Sequence, residues 1–522
     1  MNGMSRRSTL KSLGLCGLSL SPLSLAMTAC ASTSAELTAT KPSLDEYTLL
    51  NRLSWGANDV DLDRLRSQGS AAWLKEQLDP TGSPPLPAAV QTHIDALTIS
   101  QTSLVDLARN FQAQHAKIQG LPTEDERKQA MKTQQEELNR LAHEAASRHL
   151  LRAVYSPDQL RERMTWFWFN HFNVFQHKHQ IRAMLGDYEE HAIRPHVLGS
   201  FRTMLGAVIH HPAMLVYLDN QQNAAGKINE NLARELMELH TLGVNAGYSQ
   251  KDVQEMARIL TGHGIHLPSA PPRLNRKWAG LYVQDGLYEF HPGRHDFGDK
   301  HLLGQTIKGS GADELDQALD ILVQHPATGR FISRKLAMFF CQDHPSEDLI
   351  GAMADTFRHT DGHIGRTMET LVRHPEFARS AGQHFKSPVH YVVSAVRAAY
   401  NDQVILNTRP MENWIMRLGQ GLYNRQTPDG YGLTADGWSS SGQMSTRFEI
   451  ARMIGNGIAG LFRAEGDTAM GERPAFPQLA RAAYYQYVQP KLSADTRKAL
   501  AQAGSPQEWN MLYLASPDFM YS

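Results

Sequence analysis

The chain has 522 residues, of which 41% are apolar and 20% charged, a composition that buries a sizeable core and excludes disorder along its whole length. Lys and Arg total 52 and Asp and Glu 53, for a net charge of -1. That balance excludes the basic excess of a nucleic-acid binder and the acidic excess of a solvating tail, so no nucleic-acid partner is expected.

Residues 1–29 read as an export signal. Arg6 and Arg7, followed by Leu10 and Lys11, precede an apolar stretch broken by Gly, Ser and Pro22, too interrupted to span a membrane well. The paired arginines resemble a twin-arginine signal, a route for chains that cross already folded. Cys30 follows Met27-Thr28-Ala29 and resembles a lipoprotein cleavage site, so lipidation is expected at Cys30; Ala29-Cys30-Ala31 also reads as an ordinary Ala-x-Ala site. Acyl chains there would hold the body on a membrane. Residues 30–43, rich in Ser, Thr and Ala, form a tether. The expected location is the periplasm or the outer membrane. Of three cysteines, Cys16 is removed and Cys30 acylated, which leaves Cys341 alone. No intrachain disulfide and no Cys-based zinc or iron–sulfur site follows, and Cys341 is expected to be a buried small hydrophobe.

Residues 44–522 are predicted to form a mainly α, single large helical body with a few short strands and two long, functional-looking loops. Residues 124–149 predict one arm of a helical hairpin. Residues 280–289 predict a short hairpin strand. The loops cover residues 268–308 and 427–442, where Pro, Gly and His concentrate.

Two segments carry polar side chains in apolar company. In residues 161–175 aromatics point in nearly every direction, yet Glu162, Trp166, Asn170 and Asn173 fall on one helical stripe. An unpartnered buried Asn costs roughly 1–3 kcal/mol, so something polar must face it. In residues 229–243, Leu232, Leu236 and Leu239 make a core face and Asn231, Arg234, Glu235 and Glu238 the opposite one. Gly243 is placed to end that helix, and Ser249 with Asp252 to cap the next. Two readings stay open: a solvated Arg234–Glu238 pair, or a buried network in which Asn170, Asn173, Arg234, Glu235 and Glu238 satisfy one another, as pure structure, or hold a ligand.

These segments resemble the bacterial family called domain of unknown function 1800 (DUF1800). The resemblance runs from Leu50-Asn51-Arg52-Leu53-Ser54-Trp55-Gly56 to Leu514-Ala515-Ser516-Pro517-Asp518-Phe519. It includes Phe167-Trp168-Phe169-Asn170-His171-Phe172, the 229–243 segment, His295-Asp296 with Gly298 and Lys300, Phe385-Lys386-Ser387-Pro388, the 428–438 loop and Arg447. His263 departs from the aromatic usual there. The resemblance implies an exported, mostly helical protein, often encoded beside a partner that looks like a sulfatase or alkaline phosphatase (domain of unknown function 1501). It carries over no catalytic residues.

Histidine is abundant, with 24 in the chain. His295-Asp296, beside Lys300, is the best candidate for a metal ion, should a cofactor be present. Glu235 and Glu238 share a helix face and cannot flank a glycosidic bond alone; a partner would have to come from elsewhere, such as Asp296 or Asp429. Tyr431 and Trp438 are candidate sugar-stacking rings. The leading expectation is an envelope enzyme acting on a glycan or other polymer, hydrolytic, alongside the phosphatase-like partner. In it Glu235, Glu238, His295 and Asp296 are catalytic, and Asn170, Asn173, Arg234, Tyr431 and Trp438 bind substrate. The alternatives are a metal- or haem-binding redox protein and a non-catalytic scaffold for the partner.

Overall fold

The computed structural model describes residues 44–522 except 83, 271, 401–402, 458 and 464–475; the signal, Cys30 and the tether lie outside the described residues. Helices dominate, and among the described residues the named strands fall between residues 263 and 307, as predicted for a mainly α body. Pro42–Ser522 is one unit built on one principal apolar cluster with two small satellites.

The predicted helical hairpin is present. Helix Leu104–Gln119 is followed, four residues on, by the 32-residue helix Glu124–Tyr155, which starts on a Thr123–Glu126 capping box. Leu107 and Phe111 pack with Leu138 and Leu141. The first half of the long helix is charged and solvated. Every residue from Leu141 to Leu151 is buried, so the helix runs from the surface into the core. Its polar groups there find partners: His149 Nδ1 lies 3.1 Å from Glu189 Oε2, and Arg148 donates to the Gly186 carbonyl.

The aromatic helix, Gln159–His171, is buried at every position except Arg161, as a helix apolar nearly all round must be. Glu162 within it accepts from Arg194 (2.7 Å). The helix stops before Phe172, whose backbone leaves helical geometry, so Asn173 lies beyond the predicted stripe.

The 229–243 segment also differs from one regular helix. It is α-helical over Asn231–Glu235 and widens into a π turn over Leu236–Thr241. There the Leu242 N–H donates to Met237 O (2.9 Å) and the Thr241 hydroxyl to Leu236 O (2.7 Å). Such widened turns frequently mark functional sites. Gly243 ends the segment at φ +84, and the Ser249–Asp252 capping box opens helix Gln250–Ile259.

The 268–308 loop is more ordered than predicted. Strands β1 (His263–Ile265), β2 (Val283–Asp285) and β3 (Tyr288–Phe290) form an antiparallel sheet in the order β1-β3-β2. β4 (Lys300–Leu302) pairs with β5 (Gln305–Ile307). Gly286 and Gly304, both at positive φ, sit in the two tight turns. β3 is wholly buried between its neighbours, which a loop reading of its Pro- and Gly-rich flanks conceals.

Candidate functional site

Amides fasten the late loop to the end of the aromatic helix. Asn170 Nδ2 donates to the Tyr431 carbonyl (2.9 Å), and the Tyr431 N–H donates back to Asn170 Oδ1 (2.7 Å). Asn173 Nδ2 donates to the carbonyls of Arg425 and Thr427, each at 2.9 Å. The Tyr217 hydroxyl donates to Gln426 O (2.8 Å). Gly430 sits at φ +75, where a Cβ would lie 2.1 Å from the Asn170 carbonyl oxygen, so only glycine allows this approach. The Tyr431 hydroxyl donates to Gly421 O (2.8 Å) and Trp438 Nε1 to Gly432 O (3.2 Å), with the two rings 5.9 Å apart. Trp438 is buried and Tyr431 half-buried. Asn170, Asn173, Tyr217 and Trp438 thus bond to the backbone of residues 425–432, where the loop begins, the Tyr431 hydroxyl ties the loop back to Gly421, and what these side chains govern is its shape.

The shaped loop presents Asp429. Partial burial alone would raise the pKa of this carboxyl. Hydrogen bonds from Arg425 (2.9 Å to Oδ2) and Thr427 outweigh that effect and hold it below its ordinary value. Glu235 moves the other way. Burial raises its pKa, the like charge of Glu238 adds to this against the pull of Arg234, and Asp429 raises it further. Asp429 lies near enough for its charge to act on Glu235. Asn170 and Asn173 therefore hold the loop that carries Asp429, and among the described contacts they do not form the direct network with Arg234, Glu235 and Glu238 expected from the sequence.

Arg234 donates to Glu230 (2.9 Å), Glu238 (3.3 Å) and Gln250 (3.0 Å). Its side chain is 37% exposed, so its pairs with Glu230 and Glu238 are solvated one-turn pairs worth roughly 0.3–0.5 kcal/mol each. Tyr248, its pKa raised to about 12 by burial and then by Glu238, faces the same carboxylate.

A lysine completes the group. Lys335, on helix Pro326–Phe340, donates to His171 Nδ1 (2.9 Å), and His171 Nε2 donates to the His240 carbonyl (3.0 Å). Burial lowers the Lys335 pKa to about 8, against the attraction of Asp429. Burial, then Lys335, lowers His240 to about 3 and takes His171 well below its ordinary value, so both rings are neutral at pH 7. The same Asp429 carboxylate thus acts on Glu235 and on the Lys335–His171 pair. One carboxyl with a raised pKa, one with a lowered pKa and a nearby lysine are the elements of a donor–acceptor couple for proton transfer.

His295 and Asp296 occupy a different place. The His295 side chain is fully buried; its Nδ1 faces Thr261 O (2.7 Å) and its Nε2 faces Glu314 Oε1 (2.9 Å). Lys300, also fully buried, donates to Glu314 Oε2. Arg258 grips both oxygens of Asp296 (2.9 and 3.1 Å) and, with its hydrogen bonds, holds that carboxyl down to about 2. Both His295 nitrogens and both Asp296 oxygens are occupied, so this pair does not fit a metal ion. Among the described residues no three His, Cys, Asp or Glu side chains converge as metal ligands.

Sequence reasoning named Asp429 only as one partner among others and missed Lys335, His171 and Glu314. One signal was available: Lys335 lies one turn from both Phe331 and Phe339, on the apolar face of its helix. Cys341 is buried, with Sγ 3.0 Å from Ser380 Oγ, and burial raises its pKa. A pocket of about 500 Å³ lies elsewhere, lined among others by Arg202, His325, Arg330 and Phe357, and holds none of the predicted site residues.

A family model described as "Protein of unknown function (DUF1800)" matches residues 48–521. No curated protein and no solved structure is significantly similar to the chain.

Proposed function

The chain belongs to the DUF1800 family, and on that premise we propose that it is a hydrolase acting on a glycan of the cell envelope, with Glu235 and Asp429 as its acid and base. What supports this reading is the opposed direction of the pKa shifts of two carboxyl groups whose charges act on each other, one at the end of the helical segment before the π turn and one on the amide-fastened loop. Glu235 donates its proton to the departing glycosidic oxygen as the C–O bond breaks. Asp429 takes a proton from the water that forms the new bond to the anomeric carbon. Burial, then Glu238, raises the Glu235 pKa, and hydrogen bonds from Arg425 and Thr427 hold that of Asp429 down against its own burial. Tyr431 offers a half-buried ring beside the carboxylates for sugar stacking. Export through the twin-arginine-like signal, lipidation at Cys30 and work beside a sulfatase- or phosphatase-like partner fit a substrate outside the cytoplasm.

The test is release of new reducing ends from isolated envelope polysaccharide and peptidoglycan by the purified chain, followed against pH. A bell-shaped profile is expected. Activity falls on the acid side as Asp429 gains a proton and on the alkaline side as Glu235 loses one. No reducing ends at any pH would contradict the reading.

A further inference from the structure

Away from the carboxylates, the body buries a group of cations without acids. Arg52, Arg163, Lys386 and Arg447 are each at most 2% exposed, and His384 and His390 at most 5%. They converge from helix Glu46–Leu53, the aromatic helix, the segment leading into helix Pro388–Tyr400, and helix Ser441–Gly455. The links between them are direct. Arg163 donates to the carbonyls of Arg52 and Ser54, and Arg447 donates to the carbonyl of Lys386 (2.7 Å).

None of the four cations forms an ion pair with a described carboxylate. Glu376, whose field reaches the neighbouring Cys341, instead accepts from Ser346 and Gln342. The carbonyl oxygen of Ser522 accepts from the Gly382 N–H (3.0 Å). Rings and carbonyls cover part of the charge: Arg52 lies 3.9 Å from the Phe377 ring centre, Lys386 4.0 Å from Phe519, Arg447 4.5 Å from Phe385 and Arg163 4.7 Å from Phe340. They do not saturate the donors. Arg52 Nε, Arg163 Nε, Arg447 Nε and Nη1, His384 Nδ1 and His390 Nε2 are buried without a hydrogen-bond partner. Native interiors seldom leave one such group unpaired, and buried charge is normally matched by opposite charge. Burial, then the neighbouring Arg447 and Arg163, depresses Lys386 to about 7.

We propose that this cluster is a binding site for a tetrahedral oxyanion of the phosphate or sulfate class, held by the unpaired guanidinium donors with Lys386, His384 and His390. Guanidinium groups match such oxygens in pairs, and several converging donors on one anion are the usual arrangement for this ligand. A surface pocket of about 280 Å³ reaches the edge of the cluster: its lining includes Ser380, whose hydroxyl accepts from Arg52 (3.0 Å).

The full chain, purified and dialysed free of phosphate and sulfate, is denatured in acid and the released anions measured by ion chromatography. In parallel, Tm is followed as inorganic phosphate or sulfate replaces chloride at fixed ionic strength. Either about one oxyanion per chain is released, or Tm rises saturably with one of the two anions. The anion that does so separates phosphate from sulfate. Lys386→Met and Arg447→Met should each abolish retention and the saturable rise; Lys386→Met, with no forked donor to lose, keeps the test open if Arg447→Met does not fold. Neither retention nor a saturable rise in the natural chain, or an unchanged response in Lys386→Met, overturns the proposal and leaves the cluster as structural packing.

Discussion

Glu235→Gln is expected to lower kcat about 10²- to 10⁴-fold on an envelope glycan with little change in KM, because it removes a proton donor and keeps the shape. Burial and Glu238 raise the Glu235 pKa, which is the direction a general acid requires. Asp429→Asn is expected to act as strongly, by removing the base that Arg425 and Thr427 keep ionised. The pair acts as one device, so the double variant should be little worse than either single one. Steady-state rates on one polymer decide this. A Glu235→Gln chain with full activity would remove the carboxylate from the chemistry.

The second large effect is on stability. Glu314→Gln should cost about 3–5 kcal/mol, because it leaves Lys300 and the His295 ring buried against a neutral amide. Both partners are fully buried, so solvent does not screen the loss. Burial alone would raise the Glu314 pKa; His295, Lys300 and the Gly311 N–H outweigh it and hold it below the ordinary value of 4.5. A depressed carboxylate contributes stability that is present in full above the unfolded pKa and is lost as pH falls through the folded one. The natural chain should therefore weaken as pH falls below about 4.5, and Glu314→Gln should flatten that limb. Replacing the pair together, as Lys300→Met with Glu314→Leu, should recover most of the loss. Chemical denaturation at several pH values measures both. A Glu314→Gln loss below about 1 kcal/mol would mean the cluster is hydrated.

Local features were legible in the sequence because they depend on neighbours in the chain. Gly243 ends its segment, Ser249 and Asp252 cap the next helix, and the 124–149 pattern lies within one helix of a hairpin. Arg234 and Glu238 pair one turn apart, as spacing alone allows. What could not be read was the effect of residues far along the chain. Asn170 and Asn173 had to face something polar, and did, but their partners are backbone carbonyls more than 250 positions away. Carbonyls have no sequence signature. His295-Asp296 stood in a Pro- and Gly-rich stretch, yet Glu314 and Lys300 close over the histidine. The cationic cluster was similarly invisible. Arg163 sat among aromatics, and Lys386 and Arg447 stood in separate segments, with nothing to say that they meet without an acid.

The claim on which the rest depends is that Asp429 and Glu235 share one site. With the glutamate side-chain carboxyls labelled by ¹³C, the Glu235 signal can be titrated in the natural chain and in Asp429→Asn. In the natural chain it should titrate above the ordinary value of 4.5, and removing the Asp429 charge should bring it down. A Glu235 titration that is already ordinary, or that ignores Asp429→Asn, would separate the two carboxylates and contradict the account.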